Sequence, residues 1–166
     1  DRSDAAGTFT VAVEPDQYDI RFEPMSTTVL AAKRLRGIQV SADLSLGDVT
    51  IPPGLTVTGN ASHMDPALGA LPVDNLDMDF YDAYTREKAE TLHDNTDCAG
   101  NYSVTVPPGI YNVVFVPPSC NAGSSCPLPA PCTLETVRLP NVVITAPLSG
   151  LNAVLRTASF VSGSLM

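Results

Sequence analysis

The residues of this chain best suited to chemistry are hard oxygen donors: Asp74, Asp77, Asp94, Thr96 and Asp97. If the segment 84–87 (YTRE) closes a hairpin, positions whose numbers sum to about 171 face each other in antiparallel register. That register sets Asp77 against Asp94 and Asp74 against Asp97. Like charges directly opposite one another destabilise a strand pair, so something must offset them. A hard divalent cation takes six to eight oxygen ligands, and these five residues would supply most of a calcium shell. The plainer reading is an acidic turn in which Asp97 caps backbone donors. Melting with and without EGTA separates the two readings.

Cysteine is the second reactive type, present as Cys98, Cys120, Cys126 and Cys132. An even count in a chain with an extracellular composition favours two disulfides, for which three pairings exist. A hairpin turning near Pro108-Gly109 would return Cys120 to the end where Cys98 stands, so the expectation is Cys98–Cys120 and Cys126–Cys132.

Catalytic constellations are missing from the sequence. The two histidines, His63 and His93, form no metal-binding pair and neighbour no nucleophile motif. Gly-rich phosphate loops are absent, and Gly123-Ser124-Ser125 lacks the strand-to-helix context of a nucleophile elbow. Tyr18 and Tyr111 fit rings packed over a turn better than exposed binding aromatics. The net charge of −9 argues against nucleic acid and anionic membrane surfaces as partners. No apolar run approaches the ~20 residues of a membrane span. The expectation is a protein that is not an enzyme.

The elements that must position these residues are strands. With 15 Pro and 11 Gly in 166 residues, long helices are excluded, while 44% hydrophobic residues suffice for a core. Residues 100–118 (GNYSVTVPPGIYNVVFVPP) read as a β-hairpin: Val104 and Val106, then Val113 and Phe115, alternate with polar residues on either side of Pro107-Pro108-Gly109. The pattern occurs twice. Gly7 recurs as Gly100, Val11 as Val104, Val13 as Val106, Tyr18 as Tyr111 and Phe22 as Phe115, a displacement of 93. Beyond an insertion of 11 residues the displacement becomes 104, pairing Leu35 with Leu139, Leu44 with Leu148, Val57 with Val161 and Gly59 with Gly163. A repeat of this length is a small domain.

One copy reads as seven strands: 55–63, 74–83, 88–94, 100–106, 109–118, 136–145 and 151–156. Residues 64–72 read as a loop, and further strands are expected near 33–42 and 47–51 in the earlier copy. Short strands at this spacing indicate a two-sheet sandwich.

Val57-x-Gly59, the strand DMDFYDAYT at 77–85 and the run TDCAGNYSVTVPPGIYNVVFVPP at 96–118 together resemble the carboxypeptidase regulatory-like domain, a transthyretin-like β-sandwich. The resemblance implies an all-β fold of tandem seven-stranded transthyretin-like (Ig-like) modules. Residues 1–53 would be the second half of one repeat, 54–157 a complete repeat and 158–166 the first strand of another. It also implies a non-catalytic module of secreted bacterial proteins, placed beside enzymes or in surface stalks. The loop bearing Cys120, Cys126 and Cys132 departs from the family pattern and has no counterpart in the first copy.

The expected function is a structural module of an extracellular or cell-surface tandem-repeat protein, forming a stalk, fibre or filament. Its partners would be neighbouring copies of itself, head to tail, by strand complementation or chain continuity. Phe160 and Val161 are expected to pair with the segment 7–24 of a neighbouring copy. The competing reading is a carbohydrate-binding or accessory module of a secreted hydrolase. A chain without Trp and with only 5 Tyr offers few flat aromatics to a glycan.

Overall fold

The computed structural model describes residues 1–25, 29–118, 126 and 133–159, which are all-β with no helix among them. The strands are β1 Asp16–Phe22, β2 Lys33–Val40, β3 Leu55–Asp65, β4 Gly69–Pro72, β5 Asp77–Asp82, β6 Asn101–Val106, β7 Gly109–Val116, β8 Val137–Ile144 and β9 Ala153–Leu155. β3 is central to one sheet, antiparallel to β6 and β4 and parallel to β9. β5, β7 and β8 form an antiparallel second sheet, and β1 and β2 a separate two-stranded one.

The inward positions are those that alternation selects. Tyr102, Val104 and Val106 of β6 are buried while Asn101 and Ser103 are exposed. Val57 and Ala61 of β3, Met78 and Phe80 of β5, and Tyr111, Val113 and Phe115 of β7 meet them in a single core with Ile144, Ala153 and Leu155. Tyr102 and Phe115 touch edge to face across the two sheets, ring centroids 6.1 Å apart, a geometry that adds to simple burial. The two sheets thus form a sandwich around one core.

β6 and β7 are not the hairpin expected from their sequence. β6 pairs with β3, and β7 pairs with β5 and β8, so the intervening prolines turn the chain from one sheet into the other. The physical reason is the corner itself. Proline supplies no donor to a hairpin ladder. The Tyr111 hydroxyl donates to the Pro107 carbonyl at 2.9 Å, the device by which sandwiches pin such corners. A side chain on Gly109 would press on the Tyr111 ring, at 3.0 Å from an added Cβ.

Two smaller corrections follow from local capping. Residues 64–72 are not a loop, because β3 runs on to Asp65 and returns as β4. The Asp65 carboxylate accepts from Ala67 N and Leu68 N in the turn, which holds it below the usual carboxylate range. Residues 88–94 are not a strand: only isolated bridges, Tyr81 with Lys88 and Asp77 with Asn95, tie this side to β5. Asp82 turns the chain at 82–85 by accepting from Tyr84 N and Thr85 N, and Arg86 and His93 then adopt positive φ, 63° and 54°, which interrupts a continuous ladder.

The repeat is visible in hydrogen bonds as well as letters. Asp4 accepts from Ala6 N and Thr8 N as Asp97 accepts from Ala99 N and Asn101 N. The hydroxyl of Tyr18 donates to Glu14 O at 2.7 Å, matching Tyr111 and Pro107. Both β1–β2 and β7–β8 carry a bulge at the same place, between Tyr18 and Ile20 and between Tyr111 and Val113. There the backbone N–H of Gly37 meets Asp19, and that of Asn141 meets Asn112. Gly37 and Asn141 share positive φ, 66° and 56°. By contrast, residues 8–13 and 47–51 are not strands, although the first were expected as a hairpin arm and the second as a strand.

Candidate functional site

The acidic cluster is built on β5 and the segment that follows it. Asp77 bridges Asn95 rather than Asp94, one position from the expected register. Asp79 points into the fold with its carboxylate 13% exposed, where Lys88 forms an ion pair with one oxygen and the Tyr81 hydroxyl donates to the other at 3.1 Å. Burial, then the charges of Asp79 and Asp94, raise the Asp77 carboxyl above the usual range, against Lys88 and the Met78 N–H. Burial opposes the charge on Lys88. The hydrogen bond to Asp79 and the charges of Asp79, Asp77 and Asp94 outweigh it and raise the ammonium.

The remaining expected ligands have other work. The Thr96 hydroxyl accepts from Leu76 N at 2.9 Å and donates to Val73 O at 2.6 Å. One Asp97 oxygen holds the turn before β6, and Asp94 accepts from the Thr91 hydroxyl. Asp74 is buried beside them. Among the described residues no group of three or more His, Cys, Asp or Glu is arranged to hold a metal. The compensating charge is Lys88, which the structure sets opposite Tyr81, whereas the register expected from the sequence puts Glu90 there.

The disulfide differs from expectation. Cys98 is bonded to Cys126, with Cα atoms 5.4 Å apart, so Cys98–Cys120 and Cys126–Cys132 are both overturned. The expected pairing assumed that β6 and β7 face each other. Since they belong to different sheets, positions in the two arms are not cross-strand partners. Cys120 and Cys132 lie outside the described residues, as do Phe160 and Val161.

A third site joins the two copies. Arg34 grips Glu90 with both faces of its fork: Nε lies 2.9 Å from Oε1, and a terminal nitrogen donates to Oε2 at 3.1 Å. Arg21 donates to Thr91 O at 2.9 Å and stands 3.5 Å from Glu90, and Arg36 lies 3.7 Å from it. Beside this clamp, Ala31 N donates to Pro52 O and Gly54 N to Val29 O, with Ala31, Ala32 and Gly54 buried. An added Cβ at Gly54 would overlap the Thr105 side chain and approach Ala31 N to 3.0 Å, so only glycine fits this junction.

The fourth feature is an open edge. Residues 8–13 repeat β6, yet Phe9, Val11 and Val13 are 36%, 47% and 45% exposed, where Tyr102, Val104 and Val106 are 5%, 1% and 0%. Among the described residues no strand pairs with 8–13.

No family model, no curated protein and no solved structure matches this chain. Among the described residues no helix is long and apolar enough to cross a membrane.

Proposed function

We propose that this chain is a non-enzymatic structural module of an extracellular tandem-repeat protein that builds a stalk, surface fibre or filament. The modules are read as seven-stranded transthyretin-like sandwiches, with 54–157 one complete repeat and 1–53 and 158–166 parts of its neighbours. The observation that carries this reading is the junction. Two copies that share corner, bulge and turn geometry are tied together by the Arg21–Arg34–Glu90 clamp and by the hydrogen bond from Gly54 N to Val29 O. A linker between independent binding modules needs no such fixed contact, whereas a load-bearing array does. The Cys98–Cys126 bond supports an oxidising, extracellular setting.

Lys88 serves as the cation of the acidic cluster, so we read calcium as dispensable for folding. Tyrosines that a glycan platform would present are occupied internally. The hydroxyls of Tyr18, Tyr81, Tyr102 and Tyr111 are hydrogen-bonded within the fold, leaving Tyr84 as the exposed ring at 80%. Electron microscopy of native material tests the function: linear assemblies are expected, and a monodisperse globular particle would refute it. A glycan array checks the competing carbohydrate-binding reading.

A further inference from the structure

The surroundings of β3 show what fits the open edge at residues 8–13. β3 lies between β6 on one side and Leu148 and β9 on the other. Leu55 faces Val106, Val57 faces Val104 and Gly59 faces Tyr102, while Val57 bridges Leu148 and Ala61 faces Ala153. Both flanks of this slot recur in the first copy. Val13, Val11 and Phe9 take the places of Val106, Val104 and Tyr102, and Leu44 and Val49 those of Leu148 and Ala153.

The acceptor flank is already shaped. Phe9 packs edge to face on Phe22 at 5.5 Å as Tyr102 packs on Phe115. The Asp4 turn leads into it as the Asp97 turn leads into β6. Leu44 is 52% exposed, as Val11 and Val13 are 47% and 45%, and among the described residues no strand pairs with 8–13.

The strand seated beside β6 has a buried valine, Val57, followed two positions later by Gly59. At Gly59 an added Cβ would come within 2.8 Å of the Tyr102 hydroxyl and would overlap the Leu151 carbonyl. β3 itself is held in its own copy. Residues 159–166 (SFVSGSLM) repeat it, with Val161 in the place of Val57 and Gly163 in that of Gly59.

We propose that residues 159–166 of a second copy of this chain insert beside residues 8–13 as an antiparallel strand, Ser159 facing Val13, Val161 facing Val11 and Gly163 facing Phe9. The other edge of that strand runs parallel to the segment holding Leu44 and Val49. This rests on the fibre reading and names its contact. Addition of a strand to an open sheet supplies main-chain hydrogen bonds for affinity and side-chain pockets for register. Donor and acceptor surfaces differ, so each joined copy presents a fresh acceptor and the assembly grows linearly.

The test is complementation between two full-length variants, Val11→Asp blocking the acceptor and Val161→Asp blocking the donor. In sedimentation velocity the unaltered chain should give a concentration-dependent ladder. Each variant alone should remain monomeric with an unchanged circular dichroism spectrum, and their 1:1 mixture should form heterodimers and nothing larger. Gly163→Leu, a donor change that leaves 1–157 intact, should also abolish the ladder. An unaltered chain that stays monomeric, variants that assemble like it, or a mixture that stays monomeric would each overturn the proposal. Variants that still form fibres under the electron microscope would sink this contact while leaving the fibre reading standing. Native material without fibres would sink that reading itself.

Discussion

Residues 8–13 and β6 are nearly the same sequence in two situations. TFTVAV stands open, with its valines about half exposed, whereas Tyr102, Val104 and Val106 of NYSVTV are buried in a core shared with β3, β5 and β7. The local devices around them agree: the Asp turn, the tyrosine corner, the edge-to-face ring pair and the bulge are present in both. What differs is the neighbouring strand. Local chemistry therefore sets the path of the chain in both copies, and burial depends on a partner that only one of them has among the described residues.

The strongest way to break the comparison is to place one charge at equivalent positions. Val104→Asp buries an uncompensated carboxylate in the core and should cost about 4 kcal/mol or more, enough to unfold the β3–β9 sandwich. Val11→Asp in the unassembled chain should change stability by less than about 0.5 kcal/mol. Chemical denaturation of dilute protein measures both, and equal effects would mean that 8–13 is covered in solution.

Next in size is the disulfide, which the first copy lacks. Cys98 and Cys126 close a loop with a sequence separation of 28, for which the chain-entropy model gives roughly 3.5 kcal/mol. Replacing both with serine should lower the midpoint of the β3–β9 sandwich. Peptide mapping without reduction should recover the 98–126 linkage, and a Cys98–Cys120 peptide would restore the expectation drawn from the sequence.

The clamp between copies should give a smaller effect. Glu90 is 14% exposed and faces three arginines, so Glu90→Ala leaves like charges crowded together. A cost of about 1 to 2 kcal/mol is expected, well above that of an exposed surface pair. It should shrink in high salt as screening weakens the repulsion among Arg21, Arg34 and Arg36. Small-angle scattering should show a looser particle if this contact sets the angle between copies.

Much of this architecture was legible in advance, and the failures share a cause. β3, β5, β6, β7, β8 and β9 were each marked by alternation and turn residues, as were β1 and β2. Alternation reports which residues face a core but not which sheet a strand joins, so β6 and β7 read as a hairpin when they form a corner. The cysteine pairing then inherited that error. At the acidic cluster the sequence located the carboxylates and came within one position of their register. It did not reveal that Lys88 would reach Asp79, because the register shifts by three positions between Tyr81–Lys88 and Asp77–Asn95, a stretch that holds the left-handed residue His93. The Arg34–Glu90 pair spans 56 positions and depends on how the copies pack, which no local pattern encodes.

The acidic cluster gives the smallest effect and the sharpest sign. Burial and the charges of Asp79 and Asp94 raise the Asp77 carboxyl in the folded chain above its ordinary value of 3.8, so the folded state holds this proton more tightly than the unfolded state does. Stability must then fall as pH rises from that ordinary value through the folded one. Asp77→Asn removes the penalty. The variant should be more stable than the unaltered chain at pH 7 by less than about 1 kcal/mol, a partly exposed site being screened by solvent. The two should converge below about pH 4, where both side chains are neutral. Lys88 works in the opposite sense. Its ammonium is raised above 10.5, so its contribution is present below that value and is lost as pH rises through the folded one. Lys88→Met should therefore destabilise at pH 7 and enlarge the gain from Asp77→Asn when the two are combined. Melting should not respond to EGTA in the unaltered chain, whereas a calcium-dependent rise would return the cluster to metal binding and displace Lys88 from its role.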